Sequence, residues 1–244
     1  IYLALSGFNK ATNLGIYKTT DEGSNWVRKV NGIPAEYIRS HAIEMNPQNP
    51  DELYAGIGSL GIYKTVNGGE DWTYTNAANS DVFTIYLDKE NPGSIITGQY
   101  GWASMKTTNF GEDWYHPEFD ASYQYHTVYD IDFNPFNKDQ GYLLTKELLF
   151  ITEDRGDSWE TVPNDLEILS VLSFHPTIPG LMYASTFDSP IFEGGINAIY
   201  RSMDYGASWQ LVRNTHVTRF GYDIGNDLVY ALGAPGSSSI LHRS

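Results

Sequence analysis

The sequence predicts an all-β fold, a β-propeller of four-stranded antiparallel blades with six blades represented, on three observations. First, the phrase Asp/Asn-x-Gly-x-x-Trp occurs five times, running from Asp21 to Trp26, Asn67 to Trp72, Asn109 to Trp114, Asp154 to Trp159 and Asp204 to Trp209. Second, those tryptophans lie 46, 42, 45 and 50 residues apart. A period of that length marks a repeated supersecondary unit, and the four-stranded propeller blade is the common unit of that size. Third, the same order of strand and turn signals recurs between the phrases.

The second unit shows that order in full. Ala42-Ile43-Glu44-Met45 alternates and reads as a strand, here termed A. Asn46-Pro47-Gln48-Asn49-Pro50 is a turn, because proline removes a ladder donor and asparagine tolerates left-handed geometry. Strand B is Leu53-Tyr54-Ala55-Gly56 and strand C is Ile62-Tyr63-Lys64-Thr65. The Asn67–Trp72 phrase turns the chain, and Trp72-Thr73-Tyr74-Thr75 is the outer strand D. Elsewhere Phe133-Asn134-Pro135 and Phe174-His175-Pro176 match the A–B turn, so His175 stands for a turn asparagine. Leu181-Met182-Tyr183-Ala184 and Leu228-Val229-Tyr230-Ala231 match strand B. Ile16-Tyr17-Lys18-Thr19 and Ile199-Tyr200-Arg201-Ser202 match strand C.

The frame is offset at both ends. Ile1–Leu5 matches a strand B, and Ile240–Ser244 matches a strand C. Four complete blades are therefore expected, flanked by three strands of one more at each end. Two closures fit: a six-bladed ring with two reduced blades, or a seven-bladed ring of which these residues are part. An open ring leaves unpaired strand edges, so the expectation is a single propeller domain over 1–244 that is a fragment of a longer chain.

The recurring phrase suits a tight C–D turn. An Asp or Asn side chain accepts hydrogen bonds from backbone N–H groups two residues on, and glycine supplies positive φ without steric penalty. Tryptophan then covers apolar surface beside the turn, contributing on the order of 3 kcal/mol or more when buried. The structural residues are thus Asp21, Gly23, Trp26, Asn67, Gly69, Trp72, Asn109, Gly111, Trp114, Asp154, Gly156, Trp159, Asp204, Gly206 and Trp209. Calcium is disfavoured there, since two turns carry neutral Asn and none has the dense carboxylate set of a calcium loop.

These phrases resemble the Asp-box (bacterial neuraminidase) repeat found in sialidases, two-propeller xyloglucanases, sortilin-type receptors and the propeller assembly factor of photosystem II. The resemblance covers essentially the whole chain. It implies the fold strongly and the activity weakly, because these proteins share a turn and not a chemistry.

Composition removes several classes. The 244 residues carry a net charge of −15, which disfavours nucleic acid and anionic membrane surfaces. No apolar run reaches membrane-spanning length. Without cysteine, disulfides and thiolate metal sites are excluded, and the six histidines form no ligand pair, so neither metal nor cofactor is expected. Sialidase chemistry needs three converging arginines, and the family's Arg-Ile-Pro motif is absent: Gly32 precedes Ile33-Pro34.

Strand order places the Asp boxes and A–B turns on one rim and the D–A and B–C loops on the other, where recognition is expected. The D–A loops supply Glu36, Tyr37, Ile38 and Arg39, then Asn79, Ser80, Asp81 and Phe83, then His116 to His126 with Glu118, Phe119 and Asp120. The B–C loops add Gln99, Tyr100 and Trp102. Flat aromatic faces beside polar groups suit a sugar or a peptide, which makes Trp102, Tyr100, Tyr123, Tyr125, His126 and Glu193 the candidate ligand-binding residues. A glycosidase would need two acids about 5 Å or roughly 6.5–9.5 Å apart. Tyr183-Ala184-Ser185-Thr186-Phe187-Asp188 resembles the segment that carries a catalytic Asp in the xyloglucanase type, with Asp188 one residue late. The expectation is a non-catalytic propeller at an extracellular, cell-surface or periplasmic location, binding a polysaccharide or protein partner, with a xyloglucanase-type glycoside hydrolase as the alternative.

Overall fold

A computed structural model describes residues 1–6, 14–34, 38–77, 80–101, 104–119, 126–145, 148–162, 166, 169–186, 197–215, 217–226, 228–233 and, for the backbone, 240–243. The first sheet holds β1 (Tyr2–Leu5), β2 (Gly15–Lys18) and β3 (Val27–Arg28). The second holds β4 (Ser40–Met45), β5 (Leu53–Ile57), β6 (Ile62–Thr65) and β7 (Thr73–Tyr74), and the third β8 (Val82–Leu87), β9 (Ile95–Gln99) and β10 (Ser104–Thr107). After the short β11 (Glu118–Phe119), the fourth holds β12 (Val128–Phe133), β13 (Gly141–Thr145), β14 (Leu149–Thr152) and β15 (Ser158–Val162). The fifth holds β16 (Leu169–Phe174), β17 (Met182–Thr186), β18 (Ala198–Ser202) and β19 (Gln210–Arg213), and the sixth β20 (Arg219–Asp223), β21 (Leu228–Leu232) and β22 (Ile240–Arg243). Each is an antiparallel meander in chain order, which is the predicted all-β propeller blade. The chain forms two units. One is Ile1–Pro117 with Ala121–Val128, and the other is Glu118–Asp120 with Tyr129–Ser244.

Strand B is the centre of each blade. All five residues of β5, β9, β13 and β17 are buried, because both faces of the strand are covered and no polar alternation is needed. In the first unit Ile16, Leu53, Ala55, Ile57, Tyr63 and Trp72 form one core cluster. Tyr54, Ile62, Val82, Ile95 and Met105 form the next. Contact is close enough that a Cβ at Gly56 would lie 2.7 Å from the Val82 Cβ, so only glycine lets the next blade approach. In the second unit Leu144, Leu149, Leu172, Phe174 and Met182 play the same part.

All five boxes share one hydrogen-bond pattern, and it differs from the expected one. The box Asp or Asn reaches four residues on, not two. Asp21 Oδ1 accepts from Asn25 N at 2.8 Å, Asn67 from Asp71 at 2.9 Å, Asn109 from Asp113 at 3.0 Å, Asp154 from Ser158 at 2.9 Å and Asp204 from Ser208 at 2.9 Å. The span is longer because two residues, not one, sit in the left-handed region. The five glycines have φ of 81–92°, and Glu22, Gly68, Phe110, Arg155 and Tyr205 before them have φ of 57–67°. A Thr or Ser two places before the box residue closes the loop. Thr152, for example, donates to Asp154 Oδ1 at 2.7 Å and accepts from the buried Gly156 N at 2.8 Å. Thr19, Thr65, Thr107 and Ser202 do the same.

The boxes also join blades. The N–H after the box residue donates to the A–B turn of its own blade: Gly68 to Asp51, Phe110 to Gly93, Arg155 to Asp139 and Tyr205 to Gly180, at 2.9–3.1 Å. Each box thus sits beside the A–B turn of its own blade, as the strand order required. The carbonyl of that same residue is held by the preceding blade. Tyr2 and Lys18 both donate to Gly68 O at 2.9 and 3.0 Å, and Tyr54 and Lys64 both donate to Phe110 O at 3.1 Å. Tyr142 donates to Tyr205 O at 2.7 Å in the second unit. There Asp130 and Asp132 on β12 also clip the next strand A, accepting from Leu172 N at 3.0 Å and Phe174 N at 2.9 Å. Desolvation pushes the Asp130 carboxyl up to about 6, against the lowering effect of its bonds from Leu172 and Ile131 and of Arg219.

Three further expectations differ from the structure. The tryptophans are not equal staples. Trp72 and Trp159 are 3% and 2% exposed, but Trp26 is 38% exposed. Trp72 is covered by the segment leaving the preceding blade, with its Nε1 on Lys29 O at 3.1 Å, and Phe119 stacks on Trp159 at 6.3 Å. No such segment packs on Trp26 among the described residues. Glu118 and Phe119 are not in a rim loop either. They form β11, which runs parallel along the outer edge of β15, with Glu118 N donating to Asp157 O at 2.8 Å beside a box. Finally, the third blade keeps only a bridge between Lys106 and Tyr115 in place of a strand D. His175 meets its expected structural role: its Nδ1 accepts from Thr177 N at 3.3 Å and Ile178 N at 3.1 Å, where Asn46 Oδ1 takes Gln48 N at 2.9 Å.

Candidate functional site

Away from the boxes, in the first unit, the entry to each strand A is irregular. The β4–β5 ladder slips by one residue between Ser40 and Ala42, and the β8–β9 ladder slips between Val82 and Thr84. Each slip is a β-bulge, and a bulge re-aims the side chain of the extra residue. The extra residues are His41 and Phe83. Their rings meet edge to face at 5.2 Å. Ser6, at the end of β1, places Oγ 3.1 Å from His41 Nε2.

A charged pair adjoins them. Arg39 Nη2 lies 3.6 Å from Asp81 Oδ1, and that oxygen is buried with no hydrogen-bond donor among the described residues. The separation fits a loose ion pair beside Gly58, where a Cβ would lie at ordinary contact distance, 3.6–3.7 Å, from both groups. Burial lowers the His41 pKa; Arg39 adds to this and Asp81 opposes it. The imidazole is therefore neutral at neutral pH, with one nitrogen able to accept and one to donate. No group of three or more His, Asp or Glu that could hold a metal ion occurs among the described residues.

Tyr100 stands beside this cluster. Its N–H donates to Asp81 O at 2.8 Å, its carbonyl accepts from Ser80 Oγ at 2.7 Å, and its side chain is 62% exposed. The next residue, Gly101, is fixed by its N–H on Thr127 Oγ1 at 3.2 Å. Gln99 is not in the loop: it ends β9, wholly buried, with Nε2 on Thr97 Oγ1 at 3.1 Å. His126 is half-buried. Trp102, Tyr123, Tyr125, Asp188 and Glu193, with Glu36, Tyr37, Asn79 and Asp120, lie outside the described residues. Arg39, Asp81, Phe83 and Tyr100 were legible as rim residues. Ser6 and His41 were not, because a bulge leaves no mark in a six-residue strand. The adjacency of bulky Val82 and Phe83 was the one hint.

The Sortilin-Vps10 family model, described as sortilin, neurotensin receptor 3, matches residues 103–232, more than half of the sequence. The chain belongs to the sortilin-Vps10 family. No curated protein matches it in sequence. Among solved structures, this family member resembles an ancestral GH74 enzyme with TM-score 0.75 and 17% identity, over 93% of the chain and 33% of that enzyme. It resembles the GH74 xyloglucanase from Xanthomonas campestris with TM-score 0.75 and 13% identity, over 100% of the chain and 43% of that enzyme. A YCF48 structure bound to D1 peptide matches with TM-score 0.59 and 15% identity, over 96% of the chain and 87% of that protein. The chain thus spans less than half the length of the GH74 enzymes it matches, and at these identities the likeness is one of propeller fold.

Proposed function

We propose that this chain is a non-catalytic, extracytoplasmic binding propeller whose D–A/B–C rim holds an exposed segment of a protein partner, with polysaccharide as the other ligand class. The observation that carries the reading is the pairing of two bulge residues, His41 and Phe83, beside Arg39–Asp81 and the exposed Tyr100. Two aromatic faces supply area, and the ion pair and neutral imidazole supply donors and acceptors for backbone amides. Asp81, the acid in this cluster, is paired with Arg39 at 3.6 Å. A propeller of this fold bound to a peptide, and a family whose description names a receptor, both favour the peptide. No helix among the described residues is long and apolar enough to cross a membrane.

The test is capture of fluorescent chain on a peptide array and on immobilised β-glucans and xyloglucan. Binding to one class that weakens in Phe83→Ala, Tyr100→Ala and Arg39→Ala supports the reading. Capture unchanged in all three would remove the cluster from the site. The GH74 likeness over the whole chain keeps hydrolysis as the second reading. Release of reducing ends from xyloglucan, abolished in Asp188→Asn, would establish it in place of the first.

A further inference from the structure

We propose that Asn31 is a site of spontaneous covalent modification, by deamidation through Gly32, and that the change loosens the joint between the first two blades. The chain writes Val-Asn-Gly twice, at Val30-Asn31-Gly32 and Val66-Asn67-Gly68. The local sequence is matched, so any difference between the two sites comes from the fold. Glycine favours this chemistry because no side chain shields its backbone nitrogen.

The Gly32 nitrogen gives up its proton to water, and its electron pair forms a bond to Asn31 Cγ. The Cγ–Nδ2 bond breaks, and the amide nitrogen takes a proton back from water and leaves as ammonia. Water then opens the resulting succinimide at either carbonyl, giving aspartate or isoaspartate. No other reactant is required.

Asn67 is locked against every part of this step. Its Oδ1 accepts from Asp71 N and from Thr65 Oγ1, both at 2.9 Å, and its Nδ2 donates to Asp71 Oδ2 at 2.9 Å. The attacking nitrogen is occupied too, since the buried Gly68 donates to Asp51 O at 2.9 Å. Asn31 and Gly32 are exposed. Asn31 holds one side-chain bond, from Nδ2 to Asp71 Oδ1 at 2.6 Å, and Gly32 N–H has no hydrogen-bond acceptor among the described residues.

The consequence follows from that one bond. Conversion of Asn31 sets a new carboxylate against Asp71, a residue of the second box. Isoaspartate also lengthens the backbone where Trp72 N donates to Asn31 O at 2.9 Å and Trp72 Nε1 to Lys29 O at 3.1 Å.

The experiment incubates the chain at mildly alkaline pH, folded and in guanidinium, and follows both peptides by mass spectrometry. In the folded chain Asn31 is expected to convert faster than Asn67 by on the order of tenfold or more, since a locked site reacts only on local opening. In guanidinium the two rates converge. Equal folded rates, Asn67 ahead of Asn31, or an unconverted Asn31 where the unfolded chain converts would overturn the proposal. For the joint, Asn31→Asp is expected to lower the melting temperature and Asp71→Asn to recover it in the double variant. An unchanged Asn31→Asp melt would overturn the loosening.

Discussion

Asn67 donates through Nδ2 to Asp71 Oδ2 at 2.9 Å, whereas Asp204 in the same box position accepts on Oδ2 from Ser208 at 2.6 Å. The roles of donor and acceptor are exchanged between two positions four residues apart. Asn109 and Asp113 follow the first arrangement, at 3.0 Å. Asp21 with Asn25 and Asp154 with Ser158 follow the second, at 2.7 and 2.6 Å. Every box thus holds one carboxylate and one donor in this pair, so asparagine in two of them is half of an inverted pair and no loss of the motif.

This reciprocity predicts a rescue. Asn67→Asp sets two carboxylates face to face and should cost about 1 kcal/mol or more, and Asp71→Asn alone loses an acceptor at similar cost. The double variant restores the pair with its polarity reversed. A double-mutant cycle by urea unfolding should show the swap more stable than either single change. Additive losses would contradict the pairing.

The Ser/Thr two residues before the box is predicted to matter as much as the box acid. Thr152→Val leaves the buried Gly156 N–H without its acceptor and should cost roughly 1–3 kcal/mol. Thr152→Ser should be nearly neutral, because Ser202 already fills this position in the fifth blade. Equal stability of Thr152→Val and wild type in chemical denaturation would show the hydroxyl to be dispensable.

Tyr142→Phe tests the clasp between blades. It removes the 2.7 Å bond to Tyr205 O and little else, so a loss of about 1 kcal/mol is expected. Burial pushes this phenol up to about 12, so it stays protonated and donating throughout the physiological range. Amide exchange at the Asp204–Trp209 box should quicken in the variant. If exchange quickens only in the fourth blade, the bond does not join the two.

Asp130 and Asp21 predict opposite pH dependence. The Asp130 carboxyl titrates near 6 in the folded chain against a usual 3.8, so protonation favours folding. Its contribution is fully present below about 3.8 and is lost as pH rises through about 6. Asp21 is held down to about 2 by the backbone N–H of Asn25, then by the Asn25 side chain and Thr19. Its contribution is present above 3.8 and is lost as pH falls toward 2. Unfolding free energies of wild type and Asp130→Asn should diverge as pH falls from 6 toward 3.8. A pH-independent difference would place the Asp130 titration elsewhere.

The fold was legible because the repeat states it several times over. Spacing, turn prolines and strand alternation agree at Asn46, Asn134 and His175 alike. The box chemistry was half legible: Thr152 and Ser158 stood in plain sight, but a pattern built on Asp, Gly and Trp overlooks hydroxyls that act through the backbone. Trp26 was misjudged because burial depends on what the neighbouring blade lays over it, which no local phrase records. Phe119 was misplaced for a like reason, since a two-residue parallel pairing with β15 has no periodicity to read. The site was legible in Arg39, Asp81, Phe83 and Tyr100, which begin strands or fill loops. It was hidden in His41 and Ser6, which a one-residue bulge brings to Phe83.

Amide hydrogen exchange of the chain, alone and with the tightest ligand from the peptide and glycan arrays, tests most directly which rim recognises the partner. Slowed exchange at 38–41, 58–61, 80–83 and 99–101, with the boxes at 66–71 and 108–113 unchanged, is the predicted result. Protection confined to the boxes would contradict it.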